Sequence, residues 1–400
     1  MTHFDVAIIG GGLAGLNCAL TLPKHLNVLL LEKRDVGGRI YTHKDAHMVV
    51  EAGGARFNEG HVRLFKLLRE FRLAGKITPL PTADPVYMDT RDPSKTYADV
   101  HRILEDILRS SKKPSIHHTF LEHAALIVPA NDIALLKKGF GYTAELTIMN
   151  ALDALVLFKT YTTPFFILKG GLSQLVEKMA KQVKHIVHEE VMDVCFKNSV
   201  FEISTETTTY TSTICISCVQ KPNLERFSVA KPLFSKLQHI KSAPLCRIYA
   251  NARIPEKIYT DSDLKMVIPM SETVALISYT DSNYAEKWKK IKDDGGDRAV
   301  ATKLRELLGD LDIKTPISHV NMFYWPNGVG YWGVGASSQK LEKELLHPFK
   351  RLPFFICGEN FSAKHQQWME GALETSEKVV DMVKQLVKPR KTRKKSLFSL

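Results

Sequence analysis

Residues 5–20 read DVAIIGGGLAGLNCAL, and no other stretch of the chain restricts its fold so strongly. The apolar run Val6 to Ile9 is followed by glycines at 10, 12 and 15, and then by Leu13, Leu16, Ala19 and Leu20 at helical spacing. Strand, tight turn and helix in that order form the arrangement that a dinucleotide pyrophosphate requires. Gly10 serves the turn, Gly12 lets the backbone approach the phosphates, and Gly15 lets the helix pack close to the strand. Leu13 and Ala14 fall in the first turn of that helix, whose free N–H groups attract phosphate. A second apolar run, VLLLE, ends at Glu32 just before Lys33. A carboxylate there accepts hydrogen bonds from ribose hydroxyls and disfavours a 2′-phosphate.

The chain has 400 residues, 44% of them hydrophobic, enough for a large core and, at this length, two domains. No apolar run approaches the ~20 residues that span a bilayer, and the residues before Asp5 leave no room for a signal peptide. A cytoplasmic or nuclear protein is therefore expected. The cysteines at 18, 195, 215, 218, 246 and 357 are scattered among apolar neighbours and read as reduced structural thiols. Cys215 and Cys218 form a C-x-x-C inside YTSTICISC, which has a strand pattern and no second pair, so no metal is expected. The net charge of +12 is unevenly placed, since Lys384, Lys388, Arg390, Lys391, Arg393, Lys394 and Lys395 follow Asp381 with no acid among them. Residues 388–400 read as a basic, disordered tail that serves solubility, nuclear import, or contact with nucleic acid or another anionic surface.

Along the chain, HVRLFKLLREFRL reads as a helix, and residues 97–160 as mostly helical. AELTIMNALDALVLF is expected to be one helix with Leu146, Met149, Leu152, Leu155 and Val156 on its packed face. LSQLVEKMAKQV follows as an amphipathic helix, VMDVCF, FEISTET and STICIS as an antiparallel ribbon leading into a buried strand, and LCRIYANA, KMVIPM and TVALISYT as further strands. YAEKWKKI and RAVATKLRELLG read as helices, PFFICGEN as a buried strand, and Trp368 to Val387 as a closing helix. The pattern implies an α/β fold in which one nucleotide-binding domain, residues 1–78, 165–240 and 345–387, is interrupted by a mixed α+β domain, residues 79–164 and 241–344.

Four further segments sharpen this: EKRDVGGRI from Glu32, EAGGARF from Glu51, KGGLSQLVEKMA from Lys169 and FFICGENFSAKHQQWMEGALETS from Phe354. With the opening stretch they resemble, in order and spacing, the flavin-containing amine oxidase family, which includes the monoamine oxidases and L-amino-acid oxidases. The resemblance implies a Rossmann-like FAD-binding domain of the glutathione-reductase type, with FAD as the dinucleotide. It implies that Gly38 and Arg39 meet the pyrophosphate and flavin edge, where a planar cation suits phosphate oxygens. It places Gly53, Gly54 and Ala55 close to the flavin ring, Val191 against the adenine, and Gly358 and Glu359 beside the ribityl and phosphate region. Gln367, Trp368 and Met369 then open the closing helix, whose N-terminus faces flavin O2 and N1. Glycine is common in the family where this chain has Gln367.

For the substrate, GGARFNEGHVRLF resembles the L-amino-acid oxidase form of its segment, which puts Arg56 on the arginine that grips a substrate carboxylate. Taken by itself, Arg56 also fits a structural ion pair, and His61 reads as a packing or capping histidine. WPNGVGYWGVG, Trp325 to Gly335, resembles the segment that supplies an aromatic wall opposite Trp368, with Tyr331 or Trp332 as the wall. The absence of a cysteine there implies noncovalent FAD. In APLCRIYANA, Arg247 stands where the family commonly has a lysine that holds a water against the flavin, so it either takes the substrate carboxylate or lowers reactivity with dioxygen. The implied reaction moves hydride from the C–N bond of an amine or L-amino acid to flavin, and dioxygen is reduced to hydrogen peroxide. A desaturase or dehydrogenase of the same fold, and a weakly active flavoprotein with a nucleic-acid-binding tail, stay as alternatives; a homodimer is compatible with each.

Overall fold

The computed structural model describes residues 2–80, 85–162 and 164–388. The basic tail expected over 388–400 lies outside the described residues, apart from Lys388.

The run Val6 to Ile9 sits in the strand His3–Ile9, buried on both faces, as continuous apolar strands are in parallel sheets. It pairs in parallel with Val28–Leu31 on one side and with Thr209–Ser217 on the other. The sheet continues in parallel to Ile186–Val187 beyond Val28–Leu31. The C-terminal half of Thr209–Ser217 takes Phe354–Ile356 as a further parallel neighbour, and its N-terminal half takes the antiparallel ribbon Val191–Lys197 and Val200–Thr205. The helix Leu13–Thr21 leaves the first strand through Gly10, whose φ of +102° belongs to the region glycine tolerates. A Cβ on Gly15 would run into the Gly10 carbonyl oxygen, so the helix meets the turn at this distance only without a side chain. The closing helix Met369–Val387 packs beside it, with Asn17 Nδ2 donating to Ser376 Oγ at 2.9 Å.

A second sheet of six strands runs in the order Ser318–Trp332, Ile240–Asn251, Val274–Asp281, Met266–Pro269, Ile258–Thr260, Val86–Met88. All its pairs are antiparallel except the last. Its strands come from 86–88 and 240–332, whereas those of the first sheet come from 3–31, 186–217 and 354–356. A third, three-stranded sheet joins Phe57–Asn58, Phe165–Leu168 and Ile77–Pro79. The two helices expected over 284–309 are present within Ser282–Asp310, separated by a kink at Gly296, where φ is +62°.

One expected helix is broken. AELTIMNALDALVLF folds as two helices, Ala144–Thr147 and Ala151–Phe158, because the Asn150 side chain caps the second by accepting from Asp153 N at 3.0 Å. The break rotates the two halves, so Leu146 and Met149 are buried while Leu152 and Val156 are 42% and 50% exposed. No helix among the described residues is long and apolar enough to cross a membrane.

Candidate active site

One cavity of about 1660 Å³ runs between the dinucleotide turn and the six-stranded sheet. At its first end it is lined by Gly10, Gly12, Leu13, Ala14, Glu32, Lys33, Gly38, Arg39 and Val191. Gly15 does not line it; its contribution is the close helix–strand contact described above. Glu32 accepts from Gly11 N at 2.7 Å and from Arg34 N at 3.2 Å, which fixes the carboxylate at the edge of the turn. Arg39 forms an ion pair with the nearly buried Glu359 and donates to Gly328 O at 3.2 Å. Glu359 also accepts from Gln367 N at 3.0 Å and from Asn360 Nδ2 at 2.7 Å.

In the middle the walls are Gly53, Gly54, Ala55, Gly358, Gln367, Trp368 and Met369. A Cβ on Gly53 would run into the Arg39 carbonyl oxygen, so the chain's own backbone already demands glycine there, before any flavin is considered. Gln367 holds φ at +70°, the conformation for which glycine is preferred, and its N–H bond to Glu359 keeps it there. Trp368 is the N-cap of the closing helix and makes no side-chain cap bond to it.

The far end is built from aromatic rings and cations. The Phe165 ring stacks on Trp368 at 5.8 Å and 16°, and the Arg56 guanidinium lies over Phe165 at 5.3 Å and over Tyr279 at 5.8 Å. Arg56 Nη2 donates to Tyr142 Oη at 2.7 Å. Among the described residues no carboxylate lies within 4 Å of Arg56, so the ion-pair alternative finds no partner there. Arg247 lies 4.7 Å over the other neighbour of this group, the Tyr279 ring, and donates to Tyr279 Oη at 3.0 Å. Its remaining reach is spent on backbone, on Glu51 O at 2.8 Å and on Gly53 O. Burial alone would raise the Tyr279 phenol, but Arg247 and Arg56 outweigh it and hold it below the ordinary tyrosine range.

Tyr331 lines the cavity and Trp332 does not. Neighbours on a strand point to opposite faces, and Trp332 turns into the core, where its Nε1 donates to Ser362 O at 2.9 Å. Trp325, from the same segment, does line the cavity, anchored by Nε1 to Ala52 O at 2.7 Å. His61 lies outside the cavity against Trp368, with ring centroids 4.8 Å apart. Burial, with His365 nearby, pushes its pKa down to about 3, so it stays neutral.

A model of the flavin-containing amine oxidoreductase family matches residues 13–130 and 130–383. The chain belongs to this family. A stretch of 73 residues, 18% of the chain, is 47% identical to flavin-containing amine oxidase A of Equus caballus, and the same length is 44% identical to that of Bos taurus. The chain aligns with about 14% of the length of these relatives. Among solved structures, a redesigned putrescine oxidase superposes with a TM-score of 0.77 at 17% identity, covering 96% of this chain and 99% of that one. A protein described as a protoporphyrinogen oxidase from Exiguobacterium sp. gives 0.73 at 13% identity over the same shares. The fold is therefore the FAD-binding fold of the amine oxidases.

For a flavin-containing amine oxidoreductase the first end of the cavity is a fitting cradle. The turn presents backbone at its glycines, and the Glu32 carboxylate and the paired Arg39 guanidinium line the same end, groups whose chemistry suits ribose hydroxyls and phosphate oxygens. FAD is the cofactor. Cys218 is the only cysteine among the described residues that lines the cavity, and its backbone abuts Gly10.

Several residues of the site escaped the sequence reading. Phe165, Tyr142, Tyr279, Glu145 and Lys257 all line the cavity, yet none belongs to a local motif, and Trp325 lies in the aromatic-wall segment without having been singled out in it. The cysteines also converge unexpectedly: Cys218 Sγ lies 3.4 Å and Cys18 Sγ 3.8 Å from Cys357 Sγ, while Cys215 points elsewhere. Hydrogen bonds from Cys218 and Cys357 pull the Cys18 thiol down to about 5.

Proposed function

We propose that this chain oxidises the C–N bond of an amine that carries a carboxylate, an α-amino acid, with noncovalently held FAD. The observation that supports it is Arg56: a guanidinium on the cavity wall, oriented by Phe165, Tyr279 and Tyr142, with no protein carboxylate to neutralise it. A planar cation held in that way suits bidentate pairing with a substrate carboxylate. When bound, FAD accepts the hydride from the carbon that bears the nitrogen. The protein's share is orientation and dryness. Arg56 fixes one end of the substrate, Trp368, Phe165 and Tyr331 exclude water around the reacting carbon, and the start of the helix Met369–Val387 offers its free N–H groups to negative charge. The diamine in the name of the putrescine oxidases would meet like charge here, since Arg56, Arg247 and Lys257 all line the cavity.

The test is turnover of the yellow holoenzyme with a panel of L-amino acids, monoamines and diamines. Arg56→Ala is expected to lower kcat/KM for amino acids by about 10²- to 10³-fold, the effect of removing one member of a buried charge pair, and to leave monoamines nearly unchanged. Equal losses for both classes would refute the assignment. A second reading concerns the electron acceptor. The strand position carries Arg247 in place of a lysine, and its guanidinium is engaged by two carbonyls and a phenol rather than free to hold a water, which favours a dehydrogenase that reduces dyes faster than dioxygen. Parallel measurement of oxygen consumption and dye reduction separates the two.

A further inference from the structure

The cavity holds a second cation that the reading of Arg56 does not use. Lys257 stands just before the strand Ile258–Thr260, and its carbonyl accepts from Val86 N at 2.9 Å, which pins the backbone at the sheet edge. Its Nζ reaches back to Tyr259 Oη at 2.7 Å and lies 4.5 Å over the Tyr259 ring, which is stacked on Tyr97 at 4.9 Å. Among the described residues no carboxylate comes within 4 Å of it. The groups that act on Lys257 are Tyr259, as hydrogen-bond acceptor, and Arg56, as a like charge; Glu145, His101, Arg253 and Glu272 line the same cavity outside ion-pair distance of it. Burial and then Arg56 push its pKa down to about 7. An ammonium that shares a largely desolvated chamber with a guanidinium, with no carboxylate among the described residues within 4 Å, is costly in the empty site and becomes favourable when an anion arrives.

We propose that Lys257 binds a second carboxylate, carried on the substrate's side chain, so that the site selects amino dicarboxylic acids. The proposal rests on Arg56 taking the α-carboxylate. Two cations then hold one substrate at both ends, with Tyr259 orienting the ammonium and the aromatic walls between them covering the methylene chain. Anion binding to Lys257 requires its protonated form, so the selection is strong below pH 7 and fades as pH rises through that value.

The experiment titrates the FAD holoenzyme with glutarate and with butyrate, read by the perturbation of the flavin absorbance, so that no turnover is needed. The wild type is expected to bind glutarate about tenfold more tightly than butyrate at pH 6, the scale of one added charge-assisted pair, and to lose that advantage by pH 9. Lys257→Met should abolish the advantage at every pH, read as the ratio of the two affinities. Lys257→Arg should retain it at pH 9. Equal binding of the two acids by the wild type at pH 6, or an advantage that survives Lys257→Met, overturns the proposal. If butyrate binding depends on Arg56 while glutarate gains nothing, only Lys257 is misassigned; if Arg56→Ala leaves both unchanged, the reading of Arg56 fails with it.

Discussion

The two ends of the cavity are built by different means. The dinucleotide end is built around backbone: a strand, a turn and a helix contiguous in sequence, with Gly15 where no Cβ fits. The aromatic end is made of side chains that begin far apart, with Arg56, Tyr142, Phe165, Lys257, Tyr279 and Tyr331 supplied by segments spread over most of the chain. A site made of backbone tolerates almost no substitution but binds many related ligands. A site made of side chains can be altered residue by residue, and it carries the selectivity.

The contrast breaks most severely if Gly15 can be replaced. Gly15→Leu is expected to yield no stable flavoprotein, because the Cβ meets the Gly10 carbonyl oxygen and the cost exceeds the about 1–3 kcal/mol usual for overpacking; flavin content and thermal unfolding of the purified protein report it. Next comes Arg247, which belongs to both ends. Arg247→Met strands the Gly53 carbonyl and removes one partner each from Tyr279 and from the Glu51 carbonyl, which keeps Tyr249 Oη at 2.8 Å, a loss of about 1–3 kcal/mol, measurable by denaturant unfolding.

Glu51 provides a pH-dependent test of similar size. Its carboxyl is buried, which raises its pKa from 4.5 to about 7, against the opposing bonds from Leu172 N and Thr42. The folded chain therefore binds more protons than the unfolded chain between these values, and stability falls as pH rises from about 4.5 to 7. At 1.36 kcal/mol per unit the loss is on the order of 3 kcal/mol. Thermal unfolding across pH 5–8 should show the decline, and Glu51→Gln should flatten it. The smallest effect is expected at Gln367, whose positive φ costs about 1 kcal/mol. Gln367→Gly should gain at most that amount, because glycine also loosens the unfolded chain.

The same contrast governs what the sequence made legible. The strand Val6 to Ile9 with its turn and helix, the ribbon 191–205 and the closing helix followed from patterns that repeat within ten or so residues. The glycines and Glu32, Arg39 and Glu359 belonged to recognisable segments, and each lines the cavity apart from Gly15. The break at Asn150 was hidden because apolar spacing runs straight through it, and only the cap reveals two helices. Trp332 was paired with Tyr331 as equal candidates, and the direction of a strand's side chains decides between them only once the strand's register is known. Lys257 stands in NARIPEKIYT, a stretch with no periodicity. Its importance arises from Arg56, some two hundred positions earlier.

The guanidinium of Arg247 ties the six-stranded sheet to the loop at Gly53, and this has a consequence for how such a chain can diverge. A lineage that reshapes the pocket by remodelling that sheet also shifts the Gly53 loop on the cavity wall. Changes in diet and changes in redox temperament are thus inherited together, unless the rivet is lost first.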